Sequence, residues 1–151
     1  MASDRVTQNL LTLKKIVEGT STSTGKAFFR ALVKNLAETL HVPGVWVTEY
    51  DEKAYFLRSL AFWYKDHYIE QYDYSVSGTP CEPVIRSNNI FHVPERVIQL
   101  YPNDPDLPPL GAVSYVGLAL KSEKGVVLGH LAALDSKPKP ELPEIFAIFK
   151  H

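Results

Sequence analysis

SYVGLALKSEKGVVLGHLAALD, residues 114 to 135, sets two apolar runs on either side of a short polar break. SYVGLALK and VVLGHLAALD read as the two strands of a β-hairpin joined by SEKG, where Gly125 supplies the positive φ that a short connection needs. Neither run alternates apolar with polar residues. A strand exposed on one face would alternate, so this hairpin is expected at the centre of a sheet covered on both faces.

Working outward, VWVTEY (45–50) and AYFLRSLAFWY (54–64) form a second candidate hairpin, rich in β-branched and aromatic residues and broken at Asp51 and Glu52. Before it, KAFFRALVKNLAETLHV carries Phe28, Leu32, Leu36 and Leu40 on one helical face and stops ahead of Pro43 and Gly44. Earlier still, Val6, Leu10, Leu13 and Val17 recur at steps of four, three and four. That is a coiled-coil seam's spacing, and it also suits a helix packed on its own domain. The run GTSTSTG separates these two helices and offers N-caps. Between the hairpins, residues 65 to 113 read as an irregular cover with short helices at PCEPVIRS and PERVIQLY. Such long irregular segments in compact domains are usually functional. The chain finishes in KPKPELPEIFAIFKH, where Leu142, Ile145, Phe146 and Phe149 make a last helical stripe, expected to continue into a further domain. The order defines an α+β fold: an antiparallel sheet with N- and C-terminal helices on one face and a short-helix and loop cover over a pocket on the other.

Composition excludes several classes. At 151 residues the chain is one domain of ordinary size, and 45% hydrophobic with 22% charged residues is globular rather than disordered. A net charge of -1 lacks the basic excess that nucleic acid or an anionic membrane surface requires. One cysteine closes no intrachain disulfide, and MASDRVTQNLLTLKK has no apolar signal core, so the expected compartment is the cytoplasm.

Four blocks carry a family resemblance: SLAFWY (59–64), YSVSGTPCEPV (74–84), PNDPDLPPLGAVSYVGLAL (102–120) and VLGHLAALD (127–135). Together they resemble a GAF domain of the type found in bacterial sensor kinases and other signalling proteins. The resemblance spans residue 20 to the end, leaving 1–19 as a dimerisation or signalling helix. It implies a six-stranded antiparallel sheet, a homodimer through the terminal helices, and a non-catalytic sensory module of a signal-transduction protein, such as a two-component system. Such a module passes the state of a small-molecule site to an attached output domain, a kinase or a cyclase. The competing class is a ligand-free dimerisation or protein-interaction module, and the third is a cysteine-dependent enzyme. The family's special activities leave no matching residues: no N-K-F-D-E set for a cyclic nucleotide, no histidine after Cys81 for bilin attachment, and no second cysteine for sulfoxide reduction by thiol–disulfide exchange. No cofactor is named by these residues.

The expected ligand site comprises Trp63, Tyr74, Cys81, His92, Tyr101, Tyr115 and His130, with no catalytic residue and no metal ligand among them. Tyr68, Tyr72, Tyr74, Tyr101 and Tyr115 would give the pocket apolar walls with polar tips. His130 interrupts an apolar strand, where an imidazole is either a hydrogen-bonded core residue or a pocket wall able to bond a ligand or ligate haem. No local signature pairs a histidine with Cys81. T-P-C-E (79–82) reads as a capping box: the Thr79 hydroxyl takes the Glu82 amide, the Glu82 carboxylate takes the Thr79 amide, and Pro80 sits at N1. Cys81 is then a wall residue at the start of a short helix.

Overall fold

A computed structural model describes residues 7–13, 25–87, 89–143 and 146. Helix α1 (residues 7–13) and helix α2 (Lys26–Leu40) precede the hairpin β1 (Gly44–Asp51) and β2 (Phe56–Tyr64). Two short strands follow, β3 (His67–Tyr68) and β4 (Asp73–Ser75), then α3 (Cys81–Ser87), β5 (Ile90–Val93), α4 (Val97–Leu100) and α5 (Leu107–Leu110). The second hairpin, β6 (Ser114–Lys121) and β7 (Val127–Asp135), closes the sheet. Of the first stripe, Val6 and Val17 lie outside the described residues, as do Thr20 to Thr24 and, at the other end, Ile145 and Phe149.

The sheet is antiparallel throughout and runs β3-β2-β1-β7-β6-β5, with β4 pairing β2 beside that path. A seventh strand thus joins the six expected. It is three residues long, too short to leave a period-2 signature. The hairpin 114–135 occupies the interior: β6 is buried from Ser114 to Leu120 and β7 from Gly129 to Asp135. Gly125 turns it at a φ of 84°, with the Gly125 amide on the Ser122 carbonyl and the Ser122 amide on the Val126 carbonyl.

Alternation along these central strands feeds two cores. Val45 and Val47 of β1, Leu131 and Ala133 of β7, and Val116, Leu118 and Leu120 of β6 pack with Leu32, Val33 and Leu36 of α2, joined by Leu10, Leu13 and Phe146. On the other face Trp46, Tyr115, Ala119, Ala132 and Leu134 meet Cys81, Val84 and Ile85 of α3, Val97 of α4 and Leu107 of α5. The terminal segments therefore share one face with α2 and the short helices share the other. α2 ends where His41 adopts the left-handed conformation and the Val42 amide reaches back to the Ala37 carbonyl, just before Pro43.

The cover is more ordered than its composition suggests. β3, β4, β5 and α5 all lie within residues expected to be irregular, and each is no longer than four residues. α5 forms on the unpromising LPPL because both prolines fall in a first turn, where a missing amide leaves no bond unmade. The buried Asp104 carboxylate accepts the Asp106 amide to start it.

Gly117 sets the distance between cover and sheet. A β-carbon there would collide with the Tyr115 hydroxyl and lie 2.8 Å from Val84 Cγ2 of α3. Gly117→Ala is expected to destabilise the domain by about 1–3 kcal/mol, as overpacking does in a filled core. Thermal denaturation by circular dichroism would measure it, and an unchanged midpoint would mean that α3 does not rest on β6 at this point.

Candidate functional site

The cover-facing row of side chains begins with Trp46 and Thr48 on β1, continues with His130 on β7, and reaches Tyr115 on β6. Thr48 is His130's cross-strand partner on one side and Ala119 on the other. Ala119, Ala132 and Gly117 are small, and their spacing leaves room for an imidazole and a phenol to lie over the sheet. α3 then lowers Cys81 onto that space from the cover.

The result is a buried polar cluster. Cys81 Sγ lies 3.0 Å from His130 Nε2, 3.2 Å from the Tyr115 hydroxyl and 3.2 Å from the Tyr74 hydroxyl. His130 Nδ1 lies 2.6 Å from Thr48 Oγ1, which also accepts the His130 amide. Trp46 Nε1 donates to the Tyr74 oxygen at 2.9 Å. Cys81 is 2% exposed and His130 is fully buried.

Counting protons assigns the donors. The Tyr74 oxygen already accepts from Trp46, so its hydroxyl proton is free for the sulfur, and Tyr115 donates to the same atom. The thiol proton then needs an acceptor, and His130 Nε2 supplies one. That fixes the tautomer: Nδ1 carries the ring proton and gives it to Thr48 Oγ1, whose own proton faces the His130 carbonyl at 3.4 Å. Every polar group in the cluster is satisfied with both members of the pair neutral. Burial pushes the thiol up to about 11, against the opposing pull of the Tyr115, Tyr74 and Thr79 hydrogen bonds, and pushes His130 down to about 3. The phenols of Tyr74 and Tyr115 are held well above their ordinary range by the same loss of water.

Of the seven residues expected at the site, Tyr74, Cys81, Tyr115 and His130 converge. Tyr101 packs on the same core with its ring edge on Phe91. Trp63 does not belong: it faces α2, its ring against Tyr68 and beneath the Lys34 ammonium, because its neighbour Phe62 takes the cover side of β2. Tyr68 goes with it, its hydroxyl on the Arg30 carbonyl. His92 lies apart, its Nε2 donating to the Lys139 carbonyl at 2.7 Å beside a cavity of about 40 Å³ lined in part by Leu40, Val42 and Tyr115. Thr48 and Trp46 were missed by sequence reasoning: they face His130 and Ala132 across the β1–β7 pairing, which joins two separate hairpins, and no turn announces that register. The Cys81–His130 pair was missed too, since the two are 49 residues apart and meet only through the docking of α3.

The helix start at T-P-C-E differs from the expected capping box. Thr79 Oγ1 accepts the Cys81 amide and donates to the Val76 carbonyl, and the Glu82 carboxylate reaches Gly78 rather than Thr79. The reason is a turn before the helix: Gly78 at a φ of 76° folds the chain so that the Thr79 amide is already bonded to the Val76 carbonyl. The other Glu82 oxygen accepts the Tyr55 hydroxyl, tying α3 to the end of the first hairpin.

This sheet, with its helix layer on one side and short-helix cover on the other, is the GAF fold. Similar solved structures include the GAF domain of an Acinetobacter phosphoenolpyruvate-protein phosphotransferase, with a TM-score of 0.64, 15% identity, and coverage of 95% of this chain and 86% of that one. The A. aeolicus nlh2 GAF domain in an inactive state matches at 0.64 with 12% identity, over 99% of this chain and 90% of that one. Free methionine-R-sulfoxide reductase from Neisseria meningitidis, in complex with its substrate, matches at 0.67 with 16% identity, over 96% and 81%. No family model and no curated protein matches the sequence.

His130 imposes a pH dependence. Its folded-state pKa of about 3 lies below the ordinary 6.5, so the unfolded chain binds a proton that the folded chain refuses. Stability from this group is complete above pH 6.5 and falls as pH drops toward 3. Between pH 6.5 and 5, above the carboxylate range, denaturant unfolding of the native chain should lose stability with a slope that His130→Asn lacks. Parallel curves for the two proteins would show that the imidazole is hydrated.

Proposed function

We propose that the chain is a non-catalytic sensory or regulatory domain of a signal-transduction protein. A small molecule, when bound, takes the place of part of the cluster between sheet and cover, around Tyr74, Cys81, Tyr115 and His130, with Tyr101 at its margin. The observation that carries this reading is the sharing of β1, β6 and β7 between two cores. The same strands that hold the polar cluster on one face hold α2, Leu10, Leu13 and Phe146 on the other. A ligand that binds one arrangement of the cover better than another therefore shifts the packing under the terminal helices, and unequal affinity is the sole requirement. Those helices pass the change to an output domain. The regulatory setting is supported by the fold's occurrence as the GAF domain of a phosphotransferase. Sulfoxide reduction, as in the Neisseria enzyme, is disfavoured because one cysteine cannot be both attacking and resolving thiol.

A second reading, a ligand-free interaction module, is favoured by the internal pairing of every polar group in the cluster. Native mass spectrometry of the protein purified from its own host separates the two. A stoichiometric small molecule is expected for the sensor, and repeated absence of one would leave the interaction module. A homodimer would use the outward faces of the terminal helices, since Leu10 and Leu13 are already committed to their own core. Sedimentation at micromolar concentration should show a dimer; a monomer would remove that part.

A further inference from the structure

On the helix side of the sheet, where Leu13 of α1 and Phe29 of α2 approach the end of the strands, lies a groove of about 350 Å³. Val47, Leu60 and Leu120 line it from β1, β2 and β6. Leu128 lines it from β7 and stays 40% exposed, beside Val126 at 54%. β7 also contributes Gly129, which is bare where it pairs with Glu49, because a β-carbon there would collide with the Thr48 carbonyl. The space is therefore apolar, open to solvent and deepened by a missing side chain.

Glu49 is the one charged residue in that lining. Strand alternation puts it there: Val45 and Val47 enter the helix-side core and Trp46 the cover-side core, so the next odd position faces the helices again. Among the described residues no hydrogen bond or ion pair reaches the Glu49 carboxylate. The cations nearby are committed elsewhere. Arg58, its cross-strand partner on β2, lies 3.2 Å from the Asp51 carboxylate. Lys26 and Arg30 line an adjoining cavity of about 280 Å³ that shares Glu49 and Leu60, and both lie against Glu70, at 3.7 and 2.7 Å. Asp73 lines that second cavity too. Glu49, Asp51, Glu70 and Asp73 thus outnumber Lys26, Arg30 and Arg58, and the charge left over is negative.

Apolar walls with a few convergent polar groups are the usual make-up of a small-molecule site. Here the charge selects a cation. We propose that the groove binds an organic ammonium ion, its charge set against Glu49 and its aromatic or branched aliphatic body laid between Phe29, Leu60 and Leu120. Glu49 is exposed, so the ammonium keeps part of its hydration while the body leaves water. The site is on the opposite face of the sheet from the Cys81–His130 cluster, and it touches α1 and α2 directly. It goes beyond the regulatory reading, because it holds whether or not anything binds beneath the cover.

The test is titration of the intact chain with phenethylammonium at neutral pH, by calorimetry and by backbone amide shifts, against phenethyl alcohol, phenylacetate and ethylammonium. Saturable binding of phenethylammonium is expected below about 10 mM. Phenethyl alcohol, the same body without the charge, should bind about fivefold more weakly, and phenylacetate more weakly still. Ethylammonium, the charge without the body, should lose at least about tenfold. In Glu49→Gln the ammonium and the alcohol should bind equally, to within about twofold, which removes the charge contribution alone. Amide shifts should cluster at Val47 to Tyr50, Leu120 and Leu128 to Gly129. No saturable binding of phenethylammonium, equal binding of ammonium and alcohol by the native chain, or shifts centred on Tyr74, Cys81 and Tyr115 would each overturn the proposal. The comparison of ligands on the native chain decides the matter even if Glu49→Gln does not fold.

Discussion

An imidazole with no water around it must find partners for both nitrogens, and the rest of the cover side is arranged to provide them. Thr48 meets one nitrogen because β1 and β7 pair in a register that sets it directly opposite His130. Cys81 meets the other because α3 settles over β6 and β7 at a place where Gly117 has no side chain. Leaving either nitrogen unpaired in the core would cost about 1–3 kcal/mol, comparable to a substantial part of a domain's net stability. The Cys81–His130–Thr48 chain therefore helps dock α3 on the sheet. Small residues at positions 117, 119 and 132 follow from the same need, since larger ones would fill the space that the ring and the phenol occupy.

This constraint reaches the opposite face through geometry rather than through any special pathway. Residues adjacent along β1, β6 and β7 point alternately into the two cores, so a strand cannot shift under the cover without shifting under α2. The central strands are short of flexible side chains on either face, and close-packed interiors respond to displacement by moving as units. Lys139 adds a second tie at the sheet's edge: its amide bonds Pro94, its carbonyl takes His92, and its ammonium lies near Asp135 and the last carbonyl of α2. A chain leaving β7 is thus fastened to β5 and α2 before it joins the helix-side core at Leu142 and Phe146.

What could be read from the sequence was whatever the local pattern decides. Hairpin 114–135 was legible because unbroken apolarity and one turn glycine admit few other readings, and α2 because four apolar residues recur at helical steps over a length sufficient to show them. The short strands β3, β4 and β5 were not, because two to four residues are too few to carry a period. Trp63 was placed on the wrong side for a related reason: the register between β1 and β2 slips between Val47 and Thr48, and no local pattern announces a slip. Four of the site residues were named from their chemistry alone, yet their mutual arrangement depended on where α3 comes to rest, which is a tertiary fact. The capping motif shows the finer limit. Thr79 and Glu82 do start the helix, but the turn at Gly78 had already claimed the amide that the simple motif assigns to Glu82.

Burial of the thiol has two consequences that act in opposite directions. Loss of water keeps sulfur protonated, which slows any reaction that needs free thiolate. The same loss of water strengthens the contacts with His130, Tyr74 and Tyr115, because no solvent competes for them. A thiol exposed on the surface would react with many electrophiles at a rate set by pH. One enclosed by aromatic rings, protonated and hydrogen-bonded to His130, Tyr74 and Tyr115, acts instead as a contact that holds α3 on the sheet. Lifting the cover would therefore break the Cys81 contacts with His130, Tyr115 and Tyr74 together, over strands whose other face packs the helix-side core.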